Sequence, residues 1–240
     1  PLLPMSIADA PKVNVFGWDS TDWVVGGSGS GQVKMNDTVK FLDALTLAGI
    51  EYNTEITNMY ENFRSRREYS ENGGGINGGA RDGGSLMSLN NEFSRLYEPS
   101  ISNLVTNNKG YTQTMLDNAK TYSDTAIVVI GRVSGESNDS PRVQYKQTVS
   151  GGGIVTDQNR TYLEISTEEE ELLTYVGENY SNVVVLINST NVMELGFMET
   201  IPGLDACLVV ATTGSHGTRA IPRLLYKDLT AEGFTPITPS

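Results

Sequence analysis

A glutamate on a glycine-flanked loop is the residue of this sequence best suited to chemistry. It is Glu136, within Gly131-Arg132-Val133-Ser134-Gly135-Glu136-Ser137-Asn138-Asp139-Ser140-Pro141-Arg142, directly after the apolar run Thr125–Ile130. A carboxyl carried past the end of a buried strand can be aimed into a cleft. There it can protonate a departing oxygen and later deprotonate water. The same side chain could pair with Arg132 or Arg142 as a surface ion pair, and residue type and spacing alone leave both roles open. Asp22, in Thr21-Asp22-Trp23, is a second acid beside an aromatic, but it follows the first strand of the chain. His216 stands on a glycine-rich turn, where capping a helix or a local hydrogen bond is the expected role.

Several chemistries are excluded. Gly26-Gly27-Ser28-Gly29-Ser30-Gly31 follows a strand and precedes a helix, yet Gln32 or Lys34 falls where a dinucleotide fingerprint needs its last glycine. A phosphate loop needs Gly-Lys-Ser/Thr, and Gly31 is followed by Gln32 and Val33. The single cysteine, Cys207, rules out an intrachain disulfide framework and lies in an apolar run, so an inert buried thiol is expected. One histidine cannot build a multi-histidine metal site. No metal and no other cofactor is expected.

The elements that would position Glu136 alternate in type. Lys12–Gly17 reads as a strand, Val39–Ala48 as a helix stopped by Gly49, and Tyr52–Arg67 as a helix ending in basic residues. Ser70–Ser85 holds seven glycines and reads as a long loop, either a surface excursion or a reach towards a ligand or neighbouring domain. Thr125–Ile130 and Val183–Ile187 are β-branched runs of the kind covered on both faces of a sheet. Ser166–Tyr180 opens with the capping box Ser166/Glu169, and the acid run Glu168–Glu171 reads as a solvated, dipole-matched helix start. Val192–Glu199 and Gly217–Tyr226 read as helices flanking a strand at Leu204–Ala211. The pattern predicts an α/β fold: one domain over residues 1–240, a three-layer αβα sandwich whose mostly parallel sheet has about six strands. In such sheets ligands sit beyond the carboxyl ends of the strands, here the loops at 18–31, 131–142, 188–191 and 212–217.

Order along the chain adds a resemblance. Ile127–Asp139 (IVVIGRVSGESND) resembles the acid/base region of glycoside hydrolase family 3, where a buried strand leads into a Gly-Glu-Gly-x-Asp-Arg type loop. Leu2-Leu3-Pro4-Met5 resembles the Leu-Leu-Pro-Leu that opens that family's second domain. Asn14-Val15-Phe16-Gly17-Trp18, Ser20-Thr21 and the Gly/Ser loop resemble a bacterial branch in which this domain can precede the barrel. VVVLINSTNVMEL and LDACLVVATTGSHGTRAIPRLLY continue the family order, so the match covers nearly all of the chain.

The resemblance implies a β-glucosidase-like, retaining glycosidase in which Glu136 is the general acid/base. Asp139, Arg132 and Trp18 are then the residues expected to touch substrate. Ser137 and Ser140 stand where the second glycine and the arginine usually are. The family's nucleophile lies in a Ser-Asp-Trp motif on a (β/α)8-type barrel, so Thr21-Asp22-Trp23 is read as a decoy and the nucleophile as the contribution of a barrel absent here. The isolated chain is expected to be inactive. A non-catalytic carbohydrate-binding or assembly domain is the alternative.

Composition sets the partners. The net charge of −12, from 29 acidic and 17 basic residues, repels phosphate backbones and anionic lipid. Nucleic acid and membrane partners are therefore not expected, while a neutral oligosaccharide or aryl β-glycoside is indifferent to that field. A homodimer is compatible with the sequence. No apolar stretch approaches the ~20 residues of a membrane span, and Pro1–Met5 has no signal-peptide character. A cytoplasmic location is the expectation, for a chain that begins and ends like an excised piece.

Overall fold

The computed structural model describes residues 2–26, 37–65, 98–107, 109–134, 140–147 and 154–227. Five parallel strands form its sheet: β1 (Lys12–Phe16), β2 (Glu51–Tyr52), β3 (Thr125–Arg132), β6 (Asn182–Ser189) and β7 (Ala206–Val209), in the order β2-β1-β3-β6-β7. β4 (Gln144–Gln147) and β5 (Ile154–Asp157) pair separately as an antiparallel ribbon. The helices are α1 (Phe41–Leu47), α2 (Thr54–Ser65), α3 (Gln113–Tyr122), α4 (Thr167–Asn179), α5 (Phe197–Thr200) and α6 (Ile221–Leu225). The predicted α/β architecture is observed, with five strands in the parallel sheet.

The side-chain period of two explains the layers. Along β3, Ala126, Val128 and Ile130 face one core, with Val183, Val185 and Ile187 of β6. That core is closed by Ile56, Met59 and Tyr60 of α2, Met115 and Leu116 of α3, and Leu172, Leu173 and Val176 of α4. Ile127 and Val129, with Val184 and Leu186, face the opposite core beneath Phe41 and Leu45 of α1 and Ile221 and Leu225 of α6. A sheet buried on both faces needs continuous apolar strands, and all eight residues of β3 are buried. Each fully buried aliphatic side chain contributes about 1.5–3 kcal/mol, so this central pair β3/β6 fixes the frame from which the functional loops leave.

α4 forms as its capping box predicts: Glu169 N donates to Ser166 Oγ at 3.1 Å, and Ser166 N to Glu169 Oε2 at 2.8 Å. Its acid run is not a solvated face. Glu168 and Glu169 are buried, Glu170 pairs with Arg160, and Glu171 accepts from Ser100 Oγ at 2.7 Å. α3 and the β4/β5 ribbon have no counterpart in the sequence reading. α3 is started by Thr112, whose hydroxyl accepts from Met115 N at 3.1 Å.

Candidate active site

The strand order reverses between β1 and β3, and in open parallel sheets the crevice outside the carboxyl ends of such a pair is where ligands sit. Side chains from the strand ends join the loops there. Asn188, near the end of β6 and fully buried, accepts from Val24 N at 2.7 Å and donates to Val24 O at 2.9 Å and Ala211 O at 2.6 Å. Trp23 Nε1 donates to Thr213 Oγ1 at 2.9 Å, and Gly214 N to Val25 O at 2.8 Å. Ser134 N donates to Thr190 Oγ1 at 2.6 Å, and Thr190 N to Arg132 O at 3.1 Å. The chain ends of β1, β3, β6 and β7 are thus stitched into one rim.

Arg132, the last residue of β3, lies inside this rim and not on it. A guanidinium has five N–H donors, and all five are used. Nε donates to Tyr162 O at 3.2 Å, Nη1 to Gly131 O and Glu169 Oε1 at 2.7 Å each, and Nη2 to Glu164 O at 2.9 Å and Glu169 Oε2 at 2.5 Å. Burial opposes the charge of Arg132, but the Glu169 carboxylate more than offsets it and the pKa is raised. The expected substrate contact by Arg132 is therefore corrected: a saturated, buried guanidinium has no donor left for a sugar. The sequence hinted at the partner only through the capping box, which brings Glu169 to the start of α4.

Trp18 is corrected for a related reason. It is 2 % exposed and sits in the core against Phe16 and Val24, with no face open to a sugar ring. Gly17 makes the turn before it, at φ +94°, and a Cβ there would meet Val129 O at 2.0 Å. The turn is held from below by a fully buried carboxyl. Glu98 accepts Trp18 N at 2.9 Å on Oε2, and the Tyr60 and Tyr111 hydroxyls at 2.6 and 2.8 Å on Oε1. Gly17 N donates to Tyr60 Oη at 2.7 Å, and the two hydroxyls also touch each other. Burial pushes the Glu98 carboxyl up to about 8, against these hydrogen bonds, which lower it. Asp19, the residue after Trp18, lies on Gly131, whose Cβ would fall 2.6 Å from Asp19 Cγ. Burial, followed by the charge of Asp22, raises the Asp19 pKa against the backbone N–H of Val24, which lowers it.

The remaining expectations fall as follows. Glu136 and Asp139 lie outside the described residues, as do most of the 26–31 glycine loop and all of 70–85. Their flanks are described: Ser134 is tied to Thr190 and Asn191, and Arg142 is exposed. Asp22 and Trp23 are buried, Trp23 stacking on Phe41 with ring centroids 5.4 Å apart. His216 is exposed and occupies the N-cap position of the short 3-10 turn Gly217–Ala220, without a capping bond from its side chain. Cys207 is half-buried on β7, and burial raises its thiol pKa. Glu98, Tyr60, Tyr111 and Asn188 were not singled out from the sequence, because their contacts join positions far apart in it.

Comparison with known proteins adds the family. A sequence model of the glycosyl hydrolase family 3 C-terminal domain matches residues 1–239. The chain belongs to that family. Among relatives of this C-terminal domain, β-glucosidase A of Butyrivibrio fibrisolvens is 24% identical over 237 residues, covering 95% of this chain and 25% of that protein. A β-glucosidase of Ruminococcus albus is 25% identical over 227 residues, covering 93% and 19%. A β-glucosidase structure from Paenibacillus barengoltzii shares the fold with TM-score 0.66 at 24% identity, covering 95% of this chain and 21% of that one. β-Glucosidase 3B from Thermotoga neapolitana, in complex with α-D-glucose, gives TM-score 0.64 at 20% identity, covering 95% and 26%. The family 3 domain described here thus spans about a fifth to a quarter of the length of these relatives.

Proposed function

We propose that this chain is the α/β-sandwich domain of a retaining, β-glucosidase-like glycosidase, in which Glu136 is the general acid/base. The observation that carries the reading is the family match over residues 1–239, within which the Gly135-Glu136 loop follows β3 at the strand-order reversal. Relatives named β-glucosidases support hydrolysis of terminal β-linked sugars, from oligosaccharides or aryl glycosides.

In this mechanism an aspartate from a (β/α)8-type barrel attacks the anomeric carbon while Glu136 protonates the departing glycosidic oxygen. Glu136 then removes a proton from water, which releases the sugar with its configuration retained. Retaining pairs stand roughly 5–5.5 Å apart. The burial of Asp22 in its own domain supports a nucleophile supplied from elsewhere, as does the small share of the relatives' length that this chain spans. On this reading residues 1–240 are one domain, Asp139 approaches the substrate beside Glu136, and the isolated chain turns over no aryl β-glucoside.

The test is leaving-group dependence in the intact enzyme. Glu136→Gln is expected to lose roughly 10²–10⁴-fold in kcat/KM on substrates with poor leaving groups, the usual contribution of a positioned acid. The loss on 2,4-dinitrophenyl glycosides, which need no protonation, is expected to be far smaller. Unchanged turnover of the poor substrates would remove Glu136 from the role.

A further inference from the structure

Three oxygens under the Gly17-Trp18 turn lie within hydrogen-bond reach of one another: Glu98 Oε1, Tyr60 Oη and Tyr111 Oη. Each contact in such a ring takes one hydrogen, and the two phenols supply two. The third hydrogen is the carboxyl's own. The other carboxyl oxygen, Oε2, accepts Trp18 N at 2.9 Å, and Tyr60 Oη accepts Gly17 N at 2.7 Å. A neutral acid and its two phenols thus hold two successive backbone N–H groups.

The segment that starts at this turn crosses the sheet. Residues 17–25 leave β1 and run over the carboxyl ends of the other strands. Asp19 lies on Gly131 of β3, and Val24 is bonded through both N and O to Asn188 of β6. Val25 O then takes Gly214 N beyond β7. This strap covers the strand ends at the reversal of strand order. Two of its polar groups, Trp18 Nε1 and Ser20 Oγ, are buried without a hydrogen-bond partner among the described residues. Both gain water if the strap lifts.

No cation pairs with Glu98 among the described residues. The titratable groups that act on it are Tyr60 of α2, Tyr111 ahead of α3, and Glu169 of α4, whose carboxylate opposes a second negative charge. Burial, followed by the charge of Glu98, raises both phenols well above the ordinary tyrosine value, so the carboxyl ionises first. Its ionisation removes a hydrogen from the ring and leaves an unpaired charge in a dry site, which is costly. Lifting the turn hydrates that charge and the two stranded groups together.

We propose that Glu98, Tyr60 and Tyr111 form a proton-operated latch on the strap. Protonated, the cluster holds Gly17 and Trp18 down; deprotonated, it lets residues 17–25 loosen from the strand ends while the sheet stays folded. One wall of the crevice is thereby withdrawn in the alkaline range, whichever residue performs the chemistry.

The chain's two tryptophans, Trp18 and Trp23, both lie on the strap and are each 2 % exposed, so indole emission reports on the strap alone. Acrylamide quenching and the emission maximum are recorded for the 240-residue chain from pH 6 to 9.5, with far-UV circular dichroism in parallel. Quenching is expected to rise roughly twofold or more, with a red shift, near the pH of about 8 to which burial pushes Glu98, while the dichroism holds. Glu98→Gln is neutral at every pH and is expected to show no step. Tyr111→Phe, which takes away a partner of the titrating oxygen, is expected to move the step along the pH axis. Constant quenching in the wild type would overturn the latch, as would a step that persists in Glu98→Gln or stays in place in Tyr111→Phe. So would a loss of dichroism together with the quenching change, because the proton would then govern the whole fold and not the strap.

Discussion

Replacing Glu98 by glutamine should change how stability depends on pH. Glu98 is fully buried beneath the Gly17-Trp18 turn, and burial pushes its carboxyl from 4.5 to about 8. Between those values the folded chain holds a proton that the unfolded chain has lost. Stability from this group therefore falls as pH rises through the window, and levels off above about 8. At 1.36 kcal/mol per decade of proton concentration, the window sets a ceiling of about 5 kcal/mol. Relaxation around the charged form lowers this, and about 2–4 kcal/mol is the working expectation.

The glutamine keeps the shape and still accepts Trp18 N–H through its carbonyl. Its amide donates to the phenols, leaving one phenol hydrogen without its acceptor at a cost of about 1–3 kcal/mol. Urea unfolding of the 240-residue chain and of Glu98→Gln at pH 5, 7 and 9 gives the difference in stability directly. The wild type is expected to be the more stable at pH 5 and to lose that advantage by pH 9. A difference independent of pH, or one growing in favour of the glutamate, would show that Glu98 is charged when buried and would refute the reasoning.

Three further substitutions probe the packing around the β3 exit. Glu169→Gln strands the Arg132 guanidinium without its countercharge and should cost about 3–5 kcal/mol in urea unfolding. Glu170→Gln, opposite the partly exposed Arg160, should cost about 1 kcal/mol or less in the same measurement. Gly131→Ala places a methyl 2.6 Å from Asp19 Cγ and should destabilise by about 1–3 kcal/mol, read as a lowered denaturation midpoint.

The framework was legible in the sequence because its cause is local. Thr125–Ile130 and Val183–Ile187 are continuous apolar runs, and both are central strands buried on both faces. The Ser166/Glu169 capping box starts α4 as its spacing requires. The site was less legible because its bonds are not local. Arg132 reads as a loop cation until Glu169, 37 residues on, is seen to fill its fork. The aromatic side chain of Trp18 suggests a sugar platform, but the positive φ of Gly17 turns it into the core. Glu98 gives no signal at all: a lone glutamate before a proline reveals neither of the tyrosines that hold it. The acid run of α4 misleads in the same way, since composition cannot show which carboxylates meet an arginine.

The central claim is that Glu136 serves as proton donor and then as base in a retaining mechanism. Azide can replace the activated water once a retaining enzyme's acid/base is removed, because its attack needs no general base. In the intact enzyme, Glu136→Ala with a 2,4-dinitrophenyl β-glucoside should be accelerated by azide and should form the β-configured glucosyl azide. An acceleration absent in the variant, or a product of α configuration, would contradict the account.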